Sequence, residues 1–172
     1  MVKPLLVKAV NLVKGKALDI GACQGVDSLF LAEKGFEVTA IEKDENLFKE
    51  IESMNIGKIR VVNKNILDFD FSRYDLVNCC FVLHFLKEKA RDIILKIQEN
   101  TNVNGINVII TFLDEGDFDN IHEGFFKSEE LKELYSDWEI LVYGEKEVKT
   151  KEVNNDGSPK MQKAAFLLAR KK

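Results

Sequence analysis

The chain has 172 residues, of which 45% are hydrophobic and 31% are charged, and its formal net charge is −4. A length of this order suits one compact unit, so we expect a single domain over residues 1–172. The acidic balance excludes a general attraction to nucleic acid or to an anionic membrane, and no apolar stretch is long enough to span a bilayer.

Helical and strand patterns alternate over the first two thirds of the chain. Pro4 begins an amphipathic helix, whose apolar residues are Leu6, Ala9, Val10 and Val13. The predicted strands that follow are residues 17–20, 36–41, 59–62, 74–81 and 108–113. Strands that alternate with helices pair in parallel, so we expect a parallel sheet with helices on both faces and right-handed crossovers.

The last third of the chain predicts a different arrangement. Ser128 is expected to cap a short helix. Residues 138–143, with their continuation to Thr150, form one predicted strand, and a turn over residues 154–159 joins it to a second strand over residues 164–169. The predicted fold is therefore α/β, with three Rossmann-like layers around a seven-stranded, mostly parallel sheet that ends in an antiparallel hairpin.

The three cysteines of the sequence are Cys23, Cys79 and Cys80. An odd number with two adjacent members forms neither a disulfide framework nor the spacing of zinc ligands. Neighbours on a strand point to opposite faces, so Cys79 and Cys80 cannot both line one pocket. We therefore expect a reducing, cytoplasmic location and no metal site.

The turn over residues 19–25, directly after the first predicted strand, is the strongest candidate for a ligand loop. Ligands of open α/β sheets bind outside the carboxyl ends of the strands, and small residues such as Gly21 and Gly25 let a ligand approach the backbone. A glycine-rich turn after a strand can also be purely structural. The spacing differs from the G-x-G-x-x-G of dinucleotide sites, because Val26 stands where the third glycine belongs.

Glu42 is a second candidate, at the end of the second predicted strand and about twenty residues after the loop begins. A carboxylate at this point can accept hydrogen bonds from both hydroxyls of a ribose. The alternative is a solvated surface glutamate, since the next residues, Lys43, Asp44 and Glu45, are charged as well. The position at a strand's carboxyl end favours the ribose contact.

Residues 19–25 resemble the D-x-G-x-G-x-G loop of class I S-adenosylmethionine-dependent methyltransferases, with Cys23 at the middle glycine. The resemblance implies S-adenosyl-L-methionine as the cofactor and S-adenosyl-L-homocysteine as the product. In that superfamily the loop holds the methionine end, an acid at the Glu42 position holds the ribose, and a side chain at the Asn65 position contacts the adenine. The cofactor-binding residues that the resemblance implies are Asp19, Gly21, Ala22, Cys23, Gly25, Glu42, Lys43, Asn65, Ile66 (through its backbone amide) and Cys79.

Further segments resemble the tellurite-resistance branch of this superfamily, namely residues 28–32, 74–75, 82–86, 126–131, 138–139 and 168–172. The branch shares the seven-stranded fold with its C-terminal hairpin, and its implied activity is methyl transfer to tellurite, selenite or related small acceptors. It has a His-Arg pair before the last turn and an arginine after it, which are proposed to handle the oxyanion. Counting without gaps from Tyr143 places Lys151, Glu152 and Pro159 there. Lys151 can pair with an oxyanion, whereas Glu152 repels one.

Methyl transfer from a sulfonium is an in-line displacement, so the protein has to hold the acceptor near the methyl carbon and exclude water. A soft or anionic acceptor needs no base. If a base is needed, His122 in the loop over residues 114–126 is the candidate, and Tyr143 and Lys151 are further catalytic candidates at the hairpin. His84 resembles a histidine common in the family, and it is either a pocket residue or a packed or surface one.

The expected partner is a small-molecule acceptor, with no nucleic acid or membrane, and the expected assembly is a monomer or a weak homodimer. Two other functions remain open. One is a nicotinamide- or flavin-binding protein, which the G-x-C-x-G spacing opposes. The other is a module that binds S-adenosylmethionine or a partner without turnover, for which Cys23 and Glu152 leave room. Because the sequence starts at the helix over residues 6–13, we expect a pocket that is open on that side.

Overall fold

One sheet of seven strands forms the centre of the computed structural model, which describes residues 2–118 and 124–172. The strands are β1 Lys16–Ile20, β2 Glu37–Glu42, β3 Ile59–Asn63, β4 Tyr74–Cys80, β5 Thr101–Gly116, β6 Glu139–Val153 and β7 Pro159–Arg170. Their order is β3-β2-β1-β4-β5-β7-β6. Strands β1 to β5 are parallel, and β7 is antiparallel to both β5 and β6. The predicted sheet with its C-terminal hairpin is confirmed.

Helices cover both faces of this sheet. They are α1 Pro4–Ala9, α2 Val26–Glu33, α3 Glu45–Ser53, α4 Ala90–Glu99 and α5 Glu130–Leu134. Buried side chains of α1 and α2, such as Leu6 and Leu31, pack against one face. Those of α4 and α5, such as Ile94 and Leu131, pack against the other face. None of the helices within the described ranges has both the length and the hydropathy that a membrane crossing requires.

Strand β1 lies at the point where the strand order reverses. It pairs with β2 on one side and β4 on the other, so that Leu18 is opposite both Thr39 and Val77. Residues 17–20 are all buried, as expected for a strand covered on both faces, and Asp19 is the polar exception among them. The carboxyl ends of β1, β2 and β4 therefore meet at one edge of the sheet, where ligands of this fold class bind.

Strand β5 is much longer than the predicted 108–113, because polar residues near its start are buried in hydrogen-bonded pairs. The Asn107 side chain accepts a hydrogen bond from the Thr101 hydroxyl at 2.8 Å and lies 3.1 Å from the Tyr135 hydroxyl, to which it donates. These partners satisfy an asparagine that is fully buried. Apolar periodicity alone does not reveal such a pair.

Two local predictions about helices are wrong. Ser128 does not cap α5, since its hydroxyl donates to a carboxylate oxygen of Glu145 on β6 at 2.7 Å. Glu129 precedes the helix with a left-handed φ of 64° and makes no side-chain cap. At the other end of the chain, α1 ends at Ala9, so Val13 lies outside it.

Candidate functional site

An open cleft with a volume of about 1590 Å³ lies at the carboxyl ends of β1, β2 and β4. Small-molecule pockets usually have roughly 300–1,000 Å³, so this cleft has room for a cofactor and a second molecule. Ten of the predicted site residues line it: Asp19, Gly21, Ala22, Cys23, Glu42, Lys43, Asn65, Ile66, Tyr143 and Lys151.

The loop after β1 reverses the chain through residues with left-handed backbones, with φ of 72° at Gly21, 52° at Cys23 and 74° at Gly25. A Cβ added to Gly21 would collide with the side chain of Val82, so only glycine fits at this close approach. The contact brings the loops after β1 and β4 together on one side of the cleft.

Glu42 is held inside the cleft, and its side chain is not a solvated surface group. The residue is 7% exposed. One carboxylate oxygen accepts from the backbone amide of Cys23 at 2.8 Å, and the other accepts from that of Asp44 at 2.9 Å. These two bonds fix the carboxylate in one orientation, and each oxygen keeps a lone pair for a ligand.

Asp19 forms part of the floor of the cleft and is almost completely buried. Its carboxylate accepts from the Ser28 hydroxyl at 2.5 Å and from the Asn78 amide at 2.8 Å. Burial raises the pKa of Asp19 to about 6, although these two hydrogen bonds oppose the shift. The nearby charge of Asp27 raises it further.

Asp27, at the start of α2, adds a second acid to the floor. It is 6% exposed, and one of its carboxylate oxygens pairs with Lys3 at 2.9 Å. The other oxygen, Oδ1, is buried without a hydrogen-bond partner among the described residues. We call Asp19 and Asp27 together the acidic floor of the cleft.

Three further residues predicted to bind the cofactor, of which Asn65 and Ile66 were predicted to contact its adenine, differ in burial and in hydrogen bonding. Ile66 is buried at the wall of the cleft. The Asn65 side-chain oxygen already accepts from the backbone amide of Leu67 at 3.1 Å, where it caps the short turn Ile66–Asp68. Lys43 is exposed at the rim, with its Nζ 5.8 Å from the ring centre of Phe85.

Two predicted cofactor-binding residues do not line the cleft. The Cys79 side chain is fully buried in the core under α4, and this burial raises the pKa of its thiol well above the usual range. Cys80 lines the cleft in its place, because neighbours on a strand face opposite sides. Gly25 does not line the cleft, and a Cβ added to it would contact the side chain of Ile51.

Two of the three predicted catalytic residues, Tyr143 and Lys151, lie among the described residues. His122 lies outside the described residues. The Tyr143 hydroxyl donates to Glu145 at 2.5 Å, and burial together with this carboxylate raises the pKa of Tyr143 far above its usual value. Lys151 is exposed on the cleft side of the hairpin, and its neighbour Glu152 pairs with Lys160 at 3.5 Å.

Sequence reasoning left open the role of His84, which the structure places in the cleft among aromatic rings. Its ring centre lies 4.7 Å from that of Phe112 and 6.0 Å from that of Phe125. The Nδ1 atom is buried and has no hydrogen-bond partner among the described residues. Burial lowers the pKa of His84 to about 4, so the ring is neutral at neutral pH.

The sequence is similar to one family model and to curated proteins of known name. A family model for tellurite resistance protein TehB matches residues 2–168. The chain is 35% identical over 166 residues to TehB of Haemophilus influenzae (strain 10810), whose name describes an S-adenosyl-L-methionine-dependent methyltransferase; the match covers 91% of this chain and 57% of that protein. It is 29% identical over 164 residues to Hemagglutinin 1 of Eikenella corrodens, which covers 91% of this chain and 54% of that protein. The chain thus spans about half the length of the curated relatives it matches.

Solved structures give the same grouping. The fold matches the crystal structure of TehB from Haemophilus influenzae with a TM-score of 0.88 at 29% identity, over 99% of this chain and 63% of that chain. It matches the N-methyltransferase NodS from Bradyrhizobium japonicum, in complex with S-adenosyl-L-homocysteine, with a TM-score of 0.70 at 17% identity, over 97% of this chain and 83% of that chain. The second likeness shows the fold alone.

Proposed function

Because the chain belongs to the tellurite resistance protein TehB family, we propose that it is an S-adenosyl-L-methionine-dependent methyltransferase with a small-molecule acceptor. The observation that carries the proposal is the carboxylate of Glu42, which is buried, fixed in orientation and open to the cleft at the carboxyl end of β2. Such a carboxylate matches the paired hydroxyls of a ribose.

The residues around the cleft fit the chemical groups of this cofactor. Its methionine end carries an ammonium, whose charge the carboxylates of Asp19 and Asp27 at the floor of the cleft would balance. Its ribose would bind Glu42, and its adenine would lie beside Ile66 and Leu67. When bound, S-adenosyl-L-methionine supplies an electrophilic methyl group on a positively charged sulfur.

The protein's part in this reaction is binding and orientation. The acidic floor provides negative charge where a cationic ligand lies, and the tight Gly21 turn fixes the distance between the floor and the loop after β4. The remaining volume of the cleft accommodates the acceptor, whose reacting atom has to approach the methyl carbon with water excluded.

The same acidic floor argues against a nicotinamide or flavin dinucleotide. A pyrophosphate at the start of α2 would lie beside Asp27 and Asp19, and like charges at short range in a buried site repel strongly. The ammonium of a methionine at this place is positively charged, so the two carboxylates attract it.

Calorimetric titration with S-adenosyl-L-homocysteine tests the proposal. We expect Glu42→Gln to weaken binding by roughly 10- to 100-fold, because a charge-assisted hydrogen bond contributes about 1.5–3 kcal/mol. Glu50→Ala, which changes an exposed glutamate on α3, is the matched control and should bind as the wild type does. Unchanged affinity in Glu42→Gln would remove Glu42 from the site, and a folded wild type that does not bind would refute the proposal as a whole.

A further inference from the structure

The first residues of α1 and the residue before it form part of the cleft, because Lys3, Pro4 and Leu5 line it. Pro4 begins α1, where its missing N–H costs no hydrogen bond, and the residue before a proline is restricted to extended conformations. Lys3 is accordingly extended, with φ of −73° and ψ of 137°. Leu6 is fully buried and packs α1 against the sheet, so the backbone of Lys3 is held at the cleft.

The side chain of Lys3 carries a positive charge into the acidic floor. Its Nζ atom donates to a carboxylate oxygen of Asp27 at 2.9 Å, and its charge also acts on the carboxylate of Asp19. Burial lowers the pKa of Lys3, but the hydrogen bond and the charge of Asp27 outweigh burial and raise the pKa above its usual value. Lys3 is therefore a cation at neutral pH, at the place where we assign the methionine end of the cofactor.

The pair with Asp27 does not use all the hydrogen-bonding capacity of Lys3. An ammonium has three N–H donors, and Asp27 accepts the one hydrogen bond that Nζ makes within the part of the chain that the structure describes. The side chain is 33% exposed, in a residue that lines the cleft. Two donors are therefore left for a further acceptor, and the bond to Asp27 keeps the ammonium beside the floor.

The charges of these three side chains have signs opposite to those of the cofactor's charged groups. S-adenosyl-L-methionine has two positive groups, the ammonium and the sulfonium, and one negative group, the carboxylate. Asp19 and Asp27 are two negative groups, and Lys3 is one positive group. A ligand carboxylate beside two acids loses hydration and is repelled by them, so it needs a cationic partner at the same place.

From this placement we infer that Lys3 binds the carboxylate of the cofactor's methionine end, through N–H donors that Asp27 leaves free. The inference rests on the proposed function and adds a binding residue that lies outside the loop after β1 and outside all the predicted site residues. It also gives the Lys3–Asp27 pair a part in ligand binding, beyond joining α1 to α2.

Two other roles of Lys3 would use the same contacts. A purely structural Lys3 would only tie the start of α1 to α2, and its loss would affect all nucleosides alike. A competing Lys3 would occupy Asp27 in place of the ligand's ammonium, and its loss would tighten binding of a ligand that carries an ammonium. The three roles therefore predict different changes in affinity for the same set of ligands.

Calorimetric titration with three nucleosides distinguishes these roles without turnover. S-adenosyl-L-homocysteine has both the ammonium and the carboxylate, its decarboxylated form keeps only the ammonium, and methylthioadenosine has neither. We expect Lys3→Met to weaken binding of S-adenosyl-L-homocysteine about tenfold, at the low end for a charge-assisted hydrogen bond because Lys3 is partly exposed. The other two nucleosides have no carboxylate and should not bind more weakly.

Two further variants serve as controls. Lys3→Arg keeps the positive charge and should bind S-adenosyl-L-homocysteine within about threefold of the wild type. Lys8→Met removes an exposed lysine of the same helix and should bind all three nucleosides as the wild type does. Binding of methylthioadenosine reports on folding, and if Lys3→Met does not fold, Lys3→Gln takes its place.

The possible outcomes separate this inference from the proposed function. Equal losses for all three nucleosides would mean that Lys3 is structural, and tighter binding of S-adenosyl-L-homocysteine to Lys3→Met would mean that Lys3 competes with the ammonium. Either result, or unchanged affinity for S-adenosyl-L-homocysteine, overturns the inference but leaves the cofactor assignment intact. Failure of the wild type to bind S-adenosyl-L-homocysteine overturns both.

Discussion

Cys23 is the residue at which the loop after β1 carries backbone strain. Its φ of 52° is a left-handed conformation, which costs an L-residue other than glycine about 1–2 kcal/mol. Glycine removes this strain, although its greater freedom in the unfolded chain offsets roughly 0.5–1 kcal/mol of the gain. We therefore expect Cys23→Gly to raise the free energy of unfolding in urea by about 0.5–1 kcal/mol.

Cys23→Ala is the matched control for this substitution, because it keeps the Cβ atom and the strained φ but removes the thiol. Its free energy of unfolding should stay within about 0.5 kcal/mol of the wild type. Equal stabilisation by alanine and glycine would mean that the thiol, rather than the backbone, is responsible.

Single residues also show which parts of the site a sequence can reveal. Gly21 and Glu42 were predicted at the cleft because strand ends fix their positions, and chain order fixes the strand ends. Cys79 was misplaced because a one-residue shift on a strand reverses the face. The surroundings of His84 could not be predicted, since rings such as Phe112 and Phe125 are far from it along the chain.

Among the elements, the link between α5 and the C-terminal hairpin depends on one carboxylate. Glu145 on β6 accepts from the Ser128 hydroxyl and the Glu129 amide, each at 2.7 Å, and from the Tyr143 hydroxyl. Lys163 on β7 lies 3.2 Å from it. Burial pushes the pKa of Glu145 up, but these hydrogen bonds outweigh burial and hold the pKa down at about 2.

We expect Glu145→Ala to lower the free energy of unfolding by about 2–3 kcal/mol, since it removes hydrogen bonds to a charged acceptor and leaves their donors unpaired. The pKa of Glu145 is lower in the folded chain than in the unfolded chain, where it is 4.5. The contribution of Glu145 to the free energy of unfolding is therefore complete above pH 4.5 and is lost as the pH falls toward 2. Urea denaturation near neutral pH checks the magnitude.

Glu147→Ala, an exposed glutamate on the same strand, is the control for Glu145→Ala and should change the stability by less than about 0.5 kcal/mol. Equal effects of the two substitutions would show that the link does not depend on Glu145.

Sequence reasoning assigned Ser128 to a helix cap because capping is a local pattern. Its actual partner lies on a strand 17 residues away.

For the whole molecule, the alternation of strands and helices was sufficient to predict the sheet, its parallel part and the hairpin. Periodicity reports which residues are buried, and burial determines how the layers stack. It does not report how buried polar groups pair. The length of β5, with Asn107 buried against Thr101 and Tyr135, and the acidic floor of the cleft are therefore visible only in the folded structure.

The acidic floor lowers the stability of the whole fold, and Asp19 makes this measurable. Burial raises its pKa from 3.8 to about 6, so the folded chain binds more protons than the unfolded chain between these values. The stabilisation that comes from protonated Asp19 is therefore present below pH 3.8 and is lost as the pH rises through about 6. A shift of this size corresponds to about 3 kcal/mol, from which the loss of one hydrogen bond in Asp19→Asn subtracts about 1 kcal/mol.

We expect Asp19→Asn to be more stable than the wild type by about 1–2 kcal/mol at pH of about 8, but not at pH of about 4, in urea denaturation. Asp70→Asn, at a fully exposed acid, should follow the wild type at both pH values. If the cofactor assignment is correct, the stabilised variant should also bind S-adenosyl-L-homocysteine more weakly, because its ammonium loses a charged partner. A variant that gains stability equally at both pH values would show that the charge of Asp19 is not the cause.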